Sequence, residues 1–535
     1  MTPAMTPTPR SPDAGPGTAA PAGDRDSGSV RLLLDRVRPG RLLSGTVLLG
    51  LLGSLLLATG GAGAGGVLVQ DPMLTGGPLS WVRYGHGQDL ANIVLYLGFG
   101  LVVWAWVRLG REVLRGIATG RHVLVACAVW IAPMLVCPPL FTRDVYSYLG
   151  QGALALRGID PYEVGPAELP PGPIPDNVHY LWQTTPAPYG PLFILIAKLM
   201  YWATGDSTVA GVIGMRLVLL AGLGLLGYAL PRLAERLGGS APVTLWLVVA
   251  NPMIVVHLVG GPHNDLLMIG LLATGTLLVL QRRHLAGIAV VTVAMAVKAT
   301  AGLALPFLVW IWARRLPGTP QVRFAKAISA GVAVFGATFT AITLVSGVGL
   351  GWVPALSAPS MIVNWMSLPT GVGQIVHGIV WLFTGADRGP FIEAFRLAGL
   401  AVLAVVLVRQ WWLARDGGPG AIRRTAIALL WAALLSPPTL PWYLTWALVL
   451  GAGFAWSTLG LARVVAASTW LVLVSYPTGD AALYNPVYMV GTVIVSAVAA
   501  MALLRPDPLR VHARRALPDP EPATPAPEPQ VAEAR

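Results

Sequence analysis

The stretch Phe141-Thr-Arg-Asp-Val-Tyr-Ser-Tyr-Leu149 follows directly on an apolar run, residues 121–140, and opens a long polar and aromatic segment. The apolar run is long enough to cross the hydrocarbon core of a bilayer as a helix. Asp144 then lies two or three residues outside that core, where a carboxylate is costly unless it has a partner or a function. Taken alone, the pair Arg143–Asp144 could simply mark the end of a helix.

The composition indicates a membrane protein. Of the 535 residues, 55% are hydrophobic and only 11% are charged, and the mean hydropathy is +0.66. Water-soluble domains do not have this composition, so we expect an all-α polytopic membrane protein in a lipid bilayer. The net charge of +12 does not indicate a nucleic-acid partner, because the arginines cluster in short connections between apolar runs.

The two ends of the chain differ from the rest. Residues 1–29 and 511–535 are rich in Pro, Ala and other small residues without hydrophobic periodicity, so we expect both to be disordered cytoplasmic tails. Residues 30–510 are predicted to form a single transmembrane domain. Within it, residues 141–203 form the first large extracytoplasmic loop.

The arginines predict the orientation of the spans. One cluster, at positions 31, 36, 38 and 41, precedes the first apolar run, and another, at 108, 111, 115 and 121, follows the second. Cytoplasmic loops are enriched in arginine, so we expect the N-terminus in the cytoplasm and Asp144 on the extracytoplasmic side. Continued along the chain, the pattern predicts about 12–14 spans in the plasma membrane, with both termini cytoplasmic.

Several apolar runs have unusual features. Residues 191–201 are too few to cross a bilayer, so a helix along the outer interface is expected. Residues 285–300 and 302–312 predict a hairpin of short helices with Lys298 near its outward apex. A buried ammonium without a function tends to lose its proton or to be replaced, so Lys298 is a candidate phosphate ligand. The alternative is that Lys298 snorkels to the interface at a helix end. Arg216, within the run 209–230, is either a phosphate contact or an arginine that snorkels or is structurally paired.

Further polar and aromatic residues fall on the predicted outward side. They are Tyr146, Tyr148, Asp160, Tyr162, Tyr189, His263, Asn264, Asp265, Asn364, Trp365, Trp442 and Tyr443. Structural roles are open for several of them, since Asp-Pro and Gly-Pro-His-Asn-Asp are turn-forming sequences and Pro-Trp-Tyr commonly anchors a membrane interface. Their concentration on the side of Asp144 favours one common site.

The order Asp144-x-Tyr146, Gly158-x-Asp-Pro-Tyr162, Tyr189-Gly-Pro-Leu192 resembles the first extracytoplasmic loop of GT-C glycosyltransferases, which take sugars from polyprenyl phosphates. It is most similar to that of the actinobacterial polyprenol-phosphomannose-dependent α-1,6-mannosyltransferases of the MptA/MptB type. The resemblance implies a GT-C-like bundle with juxtamembrane helices in this loop. It also implies a β-linked polyprenyl-phosphate mannose donor, a lipid-anchored α-1,6-mannan acceptor of the lipomannan type, and transfer with inversion.

Glycosyl transfer from a lipid phosphate needs a base and a stabilised leaving group. Asp144 is the predicted general base, and its carboxylate would also stabilise an oxocarbenium-like sugar. The predicted ligands of the donor phosphate and lipid are Lys298, His263, Arg143, Trp442 and Tyr443. The predicted substrate-binding residues are Tyr146, Tyr148, Asp160, Tyr162, Tyr189, Asn264, Asp265, Asn364 and Trp365.

The sequence carries neither an Asp-x-Asp pair at this position nor a glycine-rich phosphate loop after a strand. We therefore expect no nucleotide-sugar donor and no cofactor, with a divalent cation possible but not required. Two alternatives stay open at this point. One is a GT-C transferase of arabinofuranose or glucose, and the other is a lipid-glycan transporter or flippase.

Overall fold

The computed structural model describes residues 44–65, 71 and 77–505, so both predicted tails lie outside the described residues. Within these ranges the chain is helical and contains no β-strand beyond one isolated bridge between Ser475 and Ala481. The predicted all-α class is confirmed.

The main helices alternate with short 3₁₀ turns. In chain order they are α1 Gly45–Ala64, α2 Gly85–Leu114, α3 Gly120–Ile131, α4 Asp144–Leu156, α5 Pro191–Thr204, α6 Thr208–Leu237, α7 Ala241–Val248, α8 Asp265–Leu280, α9 His284–Val297, α10 Leu305–Ala313, α11 Pro320–Ser346, α12 Leu368–Thr384, α13 Arg388–Leu413, α14 Gly418–Leu435, α15 Leu444–Gly451, α16 Thr458–Leu473 and α17 Pro486–Leu504. A π-helical segment, Met253–Gly260, lies between α7 and α8.

Six of the described helices are long and apolar enough to cross a membrane: α1, α2, α6, α11, α13 and α17. A seventh span results if α7 and the π-helical segment, which are bent by 49° at their break, count as one. The chain is thus a multi-pass membrane protein. The total of 12–14 spans and the orientation of the termini stay predictions, because length does not decide whether the shorter apolar helices cross.

The segment after the third apolar run is helical from Asp144 onward, where the sequence pattern suggested the start of a loop. Asp144 lies in the first turn of α4, where a carboxylate is favoured by the helix dipole, and its backbone N–H donates to Thr142 Oγ1 at 3.1 Å. Helix α4 packs on α5, which forms where residues 191–201 predicted a helix. Gly152 is required at this contact, since a Cβ there would lie 2.2 Å from the carbonyl oxygen of Ala197.

Arg216, in the middle of α6, joins two broken helical segments. Its side chain is buried, with 1% of the residue exposed. Its guanidinium donates to the carbonyl oxygens of Leu135, Cys137, Pro138, Val259 and Gly260. These carbonyls belong to the ends of helical segments, which have no partner within their own helix. The geometry therefore supports the structural pairing of Arg216 over a phosphate contact.

The segment that leads to Asp144 is fixed by further backbone contacts. Leu140 N–H donates to the Gly260 carbonyl at 3.3 Å, and Phe141 N–H donates to the Pro477 carbonyl at 3.1 Å. Phe141 has a φ of 59°, in the left-handed region that a bulky residue rarely adopts. The surrounding contacts must hold this conformation, which places Asp144 beside the turn at residues 475–481.

We expect Arg216→Met to destabilise the protein strongly, because the variant leaves the carbonyls of Leu135, Cys137, Pro138 and Val259 without their donor. A loss of about 3 kcal/mol or more follows from the cost of burying unpaired polar groups. The midpoint of thermal unfolding of the purified protein in detergent measures it. Arg463→Gln, at an exposed position, is the control; an equal midpoint for both variants would contradict the role given to Arg216.

Candidate active site

Asp144 lies where two cavities meet. One cavity, of about 260 Å³, also contains Lys298 and is called the Lys298 cavity. The other, of about 280 Å³, also contains His179 and is called the His179 cavity. Asp144, Trp182, Leu440 and Trp442 line both. The Asp144 carboxylate can therefore act on groups that arrive from two different sides.

Lys298 is held by a buried carboxylate at the wall of its cavity. Its Nζ lies 2.9 and 2.8 Å from the two carboxylate oxygens of Asp265, and the indole N–H of Trp446 donates to Asp265 Oδ1 at 2.6 Å. The ammonium also lies 4.9 Å from the centre of the Tyr443 ring. An ammonium has three N–H donors, so one remains for a ligand in the cavity.

The predicted hairpin of short helices explains the position of Lys298. Helix α9 ends at Val297, Lys298 has an extended backbone, and a 3₁₀ segment, Ala299–Ala304, leads into α10. The break places the lysine side chain at the cavity instead of inside a continuous helix.

An apolar groove of about 720 Å³ continues from the Lys298 cavity. The two share the residues Ala299, Thr300, Leu303 and Leu356. The groove runs along one face of α11 and is lined by Ile288, Met295, Leu305, Val309, Phe324, Ile328, Val332, Phe335, Trp352 and Trp411. Ile328 and Val332 are 40% and 62% exposed, so the groove opens on the outer surface of the bundle. Its shape and lining suit a hydrocarbon chain whose polar head lies at Lys298.

His263 lies behind Asp144 and orients its carboxylate. Its Nε2 lies 3.5 Å from Asp144 Oδ2, and its Nδ1 lies 2.7 Å from the His257 carbonyl oxygen. A carbonyl only accepts, so Nδ1 carries a proton, and Nε2 can donate to Asp144 only when the ring is protonated or shares the proton with the carboxylate. The ring packs on Trp442, with 3.7 Å between the centroids.

The electrostatic surroundings keep Asp144 ionised. Burial would raise the pKa of its carboxyl group, but the hydrogen bond and charge of His263, with the charge of Lys298, lower that pKa below its usual value. An ionised carboxylate at neutral pH is the state that a general base needs.

The His179 cavity is more polar. His179 Nε2 lies 3.7 Å from Asp480 Oδ1, and Arg143 and Asn364 also line the cavity. Burial, followed by the charge of Arg143, lowers the pKa of His179, so this ring is neutral at pH 7. Neutral imidazole, carboxylate and amide groups beside an indole suit the hydroxyl groups of a sugar.

The turn that carries Asp480 packs directly on the segment before Asp144. Gly479 has a φ of 97°, and a Cβ at this position would lie 3.1 Å from the Thr142 Cα. Thr478 Oγ1 donates to Asp480 Oδ2 at 2.9 Å, and Tyr476 N–H donates to the Asp480 carbonyl at 2.8 Å. The glycine allows the close approach that brings Asp480 into the same cavity as Asp144.

The predicted site residues fall into three groups. Tyr148, Tyr189, Trp442 and Tyr443 line the Lys298 cavity together with Asp144 and Lys298. Arg143, Asn364 and Trp442 line the His179 cavity. His263 and Asp265 are buried behind Asp144 and Lys298, while Tyr146, Asp160, Tyr162, Asn264 and Trp365 line neither cavity.

Local structure explains some of these outlying positions. Tyr146 follows Asp144 by two residues on α4 and so faces a different cavity, of about 490 Å³, that contains the buried Arg83–Asp71 ion pair. Asp160 accepts a hydrogen bond from Tyr162 N–H at 2.8 Å, as in the turn that its Asp-Pro sequence allowed. Asn264 is fully buried and Trp365 is 39% exposed.

Four residues of the two cavities had no place among the sequence predictions: Trp446, Trp182, His179 and Asp480. Trp446 follows Trp442 by four residues, and this helical spacing was a usable signal. Asp480 is an acid between two apolar runs, residues 461–476 and 486–504, and this was a weaker signal. Within the described ranges, no group of three or more His, Cys, Asp or Glu side chains is placed to hold a metal ion.

Comparison with known proteins gives the family. Residues 47–314 match the family described as alpha-(1->6)-mannopyranosyltransferase, N-terminal domain, and residues 369–505 match the MptB C-terminal domain. The chain is 42% identical to alpha-(1->6)-mannopyranosyltransferase A of Mycobacterium tuberculosis over 446 residues, which cover 82% of this chain and 86% of the relative. It is 33% identical to alpha-(1->6)-mannopyranosyltransferase A of Corynebacterium glutamicum over 472 residues, 83% of this chain and 94% of the relative. No solved structure matches the chain.

These features define a multi-pass membrane glycosyltransferase. The chain belongs to the alpha-(1->6)-mannopyranosyltransferase family. It is therefore an enzyme, a mannosyltransferase, and the resemblance noted in the loop at 141–192 is confirmed. The transporter alternative is not supported.

We expect His263→Gln to move the acid limb of the pH–rate profile to higher pH. His263 lowers the pKa of Asp144, so its removal raises that pKa, and the carboxylate becomes protonated at a higher pH than in the wild type. The dependence of kcat/KM on pH measures the shift. His377→Gln, in α12, is the control, and an acid limb at the same pH in His263→Gln would exclude this role.

Proposed function

We propose that the protein transfers mannose from polyprenyl-phosphate mannose to a hydroxyl of a lipid-anchored α-1,6-mannan, with inversion, on the extracytoplasmic side of the plasma membrane. The observation that carries the proposal is the position of Asp144 between a cavity that continues into an apolar groove and a second, polar cavity. The names of the relatives support mannose over arabinofuranose or glucose. The distribution of arginines supports the orientation.

The donor is assigned to the Lys298 cavity and the groove behind it. The isoprenoid chain would lie in the apolar groove, and the phosphate would accept the remaining N–H of Lys298. Tyr443 and Trp446 flank the ammonium and form an aromatic wall around the polar head. Lys298 is a better phosphate ligand than His263, whose ring is buried behind Asp144, or Arg143, which lines the other cavity.

The acceptor is assigned to the His179 cavity. Its polar side chains, His179, Asp480, Arg143 and Asn364, offer both donors and acceptors for sugar hydroxyls. Trp182 and Trp442, which line both cavities, would pack on the apolar faces of sugar rings.

The reaction then follows from the layout. The acceptor oxygen attacks C1 of the mannose, and its proton passes to the Asp144 carboxylate. The bond between C1 and the phosphate oxygen breaks, and its electron pair stays on the phosphate next to Lys298. A β-linked donor gives an α-linked product and free polyprenyl phosphate.

We expect Asp144→Asn to lower kcat by about 10²- to 10⁴-fold, the usual contribution of a general base. Transfer from radiolabelled polyprenyl-phosphate mannose to a synthetic α-1,6-mannoside, with purified protein in detergent, measures the rate. The matched control is Asp160→Asn, because an asparagine can still accept the hydrogen bond from Tyr162 N–H. Wild-type rates in Asp144→Asn would exclude Asp144 as the base.

We expect Asp480→Asn to raise the KM for the acceptor about tenfold while the KM for the donor stays unchanged. The variant replaces a charged hydrogen-bond acceptor by a neutral one in the His179 cavity, and such bonds typically contribute enough for this change. Initial rates over a matrix of both substrate concentrations measure the two constants. Asp387→Asn, at an exposed site away from both cavities, is the control. A rise in donor KM instead would reverse the assignment of the cavities.

A further inference from the structure

A third polar cavity lies far from Asp144. It has a volume of about 370 Å³, and its charged and aromatic lining consists of Arg314, Arg323, Arg415, Asp416, Trp310 and Trp412. We call it the arginine cavity. It lies at the start of α11, a 27-residue helix whose residues Phe335 and Phe339 lie towards the Lys298 end of the groove. A helix of this length spans about 40 Å, so the arginine cavity and the catalytic cavities lie at opposite ends of the bundle.

The arginine cavity has an excess of hydrogen-bond donors. Three guanidinium groups face one carboxylate, Asp416, and within the described residues no carboxylate forms an ion pair with any of the three arginines. Two buried donors of its lining, Arg323 Nε and Trp310 Nε1, have no acceptor in that part of the chain. Buried donors without acceptors are uncommon in folded proteins. The lining with three arginines and one aspartate has a net positive charge, which favours an anionic ligand in the cavity.

The backbone around the cavity favours an anion as well. The first residues of α11, Pro320 and Gln321, belong to the lining, and the N-terminal end of a long helix attracts negative charge. Gly417, with a φ of 70°, would place a Cβ 3.0 Å from Arg314 Cγ, so a glycine is needed for the chain to pass this close to the arginine. The position of Arg314 is thus set by the surrounding chain.

The apolar groove begins next to this cavity. Phe324 lines both, and Trp310 stacks on Phe324 with 4.2 Å between the ring centroids. Beyond Phe324, Ile328 and Val332 are exposed on the surface of α11. A polar head in the arginine cavity could therefore carry hydrocarbon chains that lie along this surface.

We propose that the arginine cavity binds the phosphate of an anionic membrane phospholipid, with the acyl chains of that lipid against the exposed apolar face of α11. Free phosphate shares the charge but lacks the chains that Phe324, Ile328 and Val332 would contact. Arginines that only orient the chain in the membrane need neither a cavity nor an adjoining apolar surface. The arginine cavity itself is separate from the two cavities at Asp144, whereas Phe324, Ile328 and Val332 also line the groove assigned to the donor chain. The test below therefore uses protein without donor.

The test uses the full-length protein, delipidated in a neutral detergent. Native mass spectrometry measures the retention of added phosphatidylglycerol, of phosphatidylcholine with the same chains, and of inorganic phosphate. We expect the wild type to bind phosphatidylglycerol about tenfold or more tightly than phosphatidylcholine, because each charge-assisted hydrogen bond contributes about that factor. Arg314→Gln combined with Arg415→Gln should abolish the preference, and Arg463→Gln combined with Arg505→Gln, which removes the same charge elsewhere, should retain it.

Two results would overturn the proposal. One is an equal preference for phosphatidylglycerol in the wild type and the Arg314/Arg415 double variant. The other is displacement of the lipid by inorganic phosphate at equal concentration, which would identify a site for free phosphate. If the double variant does not fold, the single variant Arg415→Gln decides the question, since its side chain is exposed and a partial loss of the preference is expected.

Discussion

The five hydrogen bonds of Arg216 hold together the part of the fold that contains the site. Its guanidinium donates to carbonyl groups at the ends of two segments, one before Asp144 and one before His263. A buried unpaired carbonyl costs about 1–3 kcal/mol, so the four that have no other donor among the described residues would approach the whole stability of a typical protein. The Arg216 guanidinium in α6 removes this cost and brings the ends of these two segments together. The positions of Asp144, the proposed general base, and of His263 thus depend on an arginine that lines neither cavity.

The site combines two acid–base pairs of different exposure. Asp265 is fully buried and binds Lys298 through both oxygens, whereas Asp144 is partly exposed to both cavities and meets His263 through one oxygen. The first pair stabilises a cation in an apolar environment and leaves one N–H for a ligand. The second keeps a carboxylate ionised while it remains accessible to an acceptor hydroxyl. The proposed phosphodiester donor carries one negative charge, and the phosphate monoester that leaves carries two. Its interaction with Lys298 would therefore strengthen during the reaction and favour the transition state.

The sequence predicted features that depend on composition or on isolated polar residues in apolar surroundings. The helical class, Asp144 as the first acid after an apolar run and the break at Lys298 all follow from hydropathy. It did not predict that α4 begins at Asp144. In a helix, residues two positions apart point to different sides, so Tyr146 faces a different cavity from Asp144. Asp265 and Trp446 are 181 residues apart in the chain and meet only through tertiary packing. Asp480 lies near Asp144 because its turn packs on Thr142, and no local sequence pattern indicates this tertiary contact.

The arrangement of carboxylates also bears on the stereochemistry. A retaining double displacement needs a second carboxylate about 5–5.5 Å from the acid–base residue, placed to attack C1 from the side opposite the leaving group. Among the described side chains that line the Lys298 cavity, Asp144 is the only carboxylate, and the nearby Asp265 is sealed behind Lys298 and Trp446. With the proposed acceptor in the His179 cavity and the proposed donor phosphate at Lys298, the two oxygens would approach the sugar from two sides of the Asp144–Trp442 wall. This layout supports the proposed single displacement, because that mechanism needs one base and keeps the incoming and departing oxygens apart.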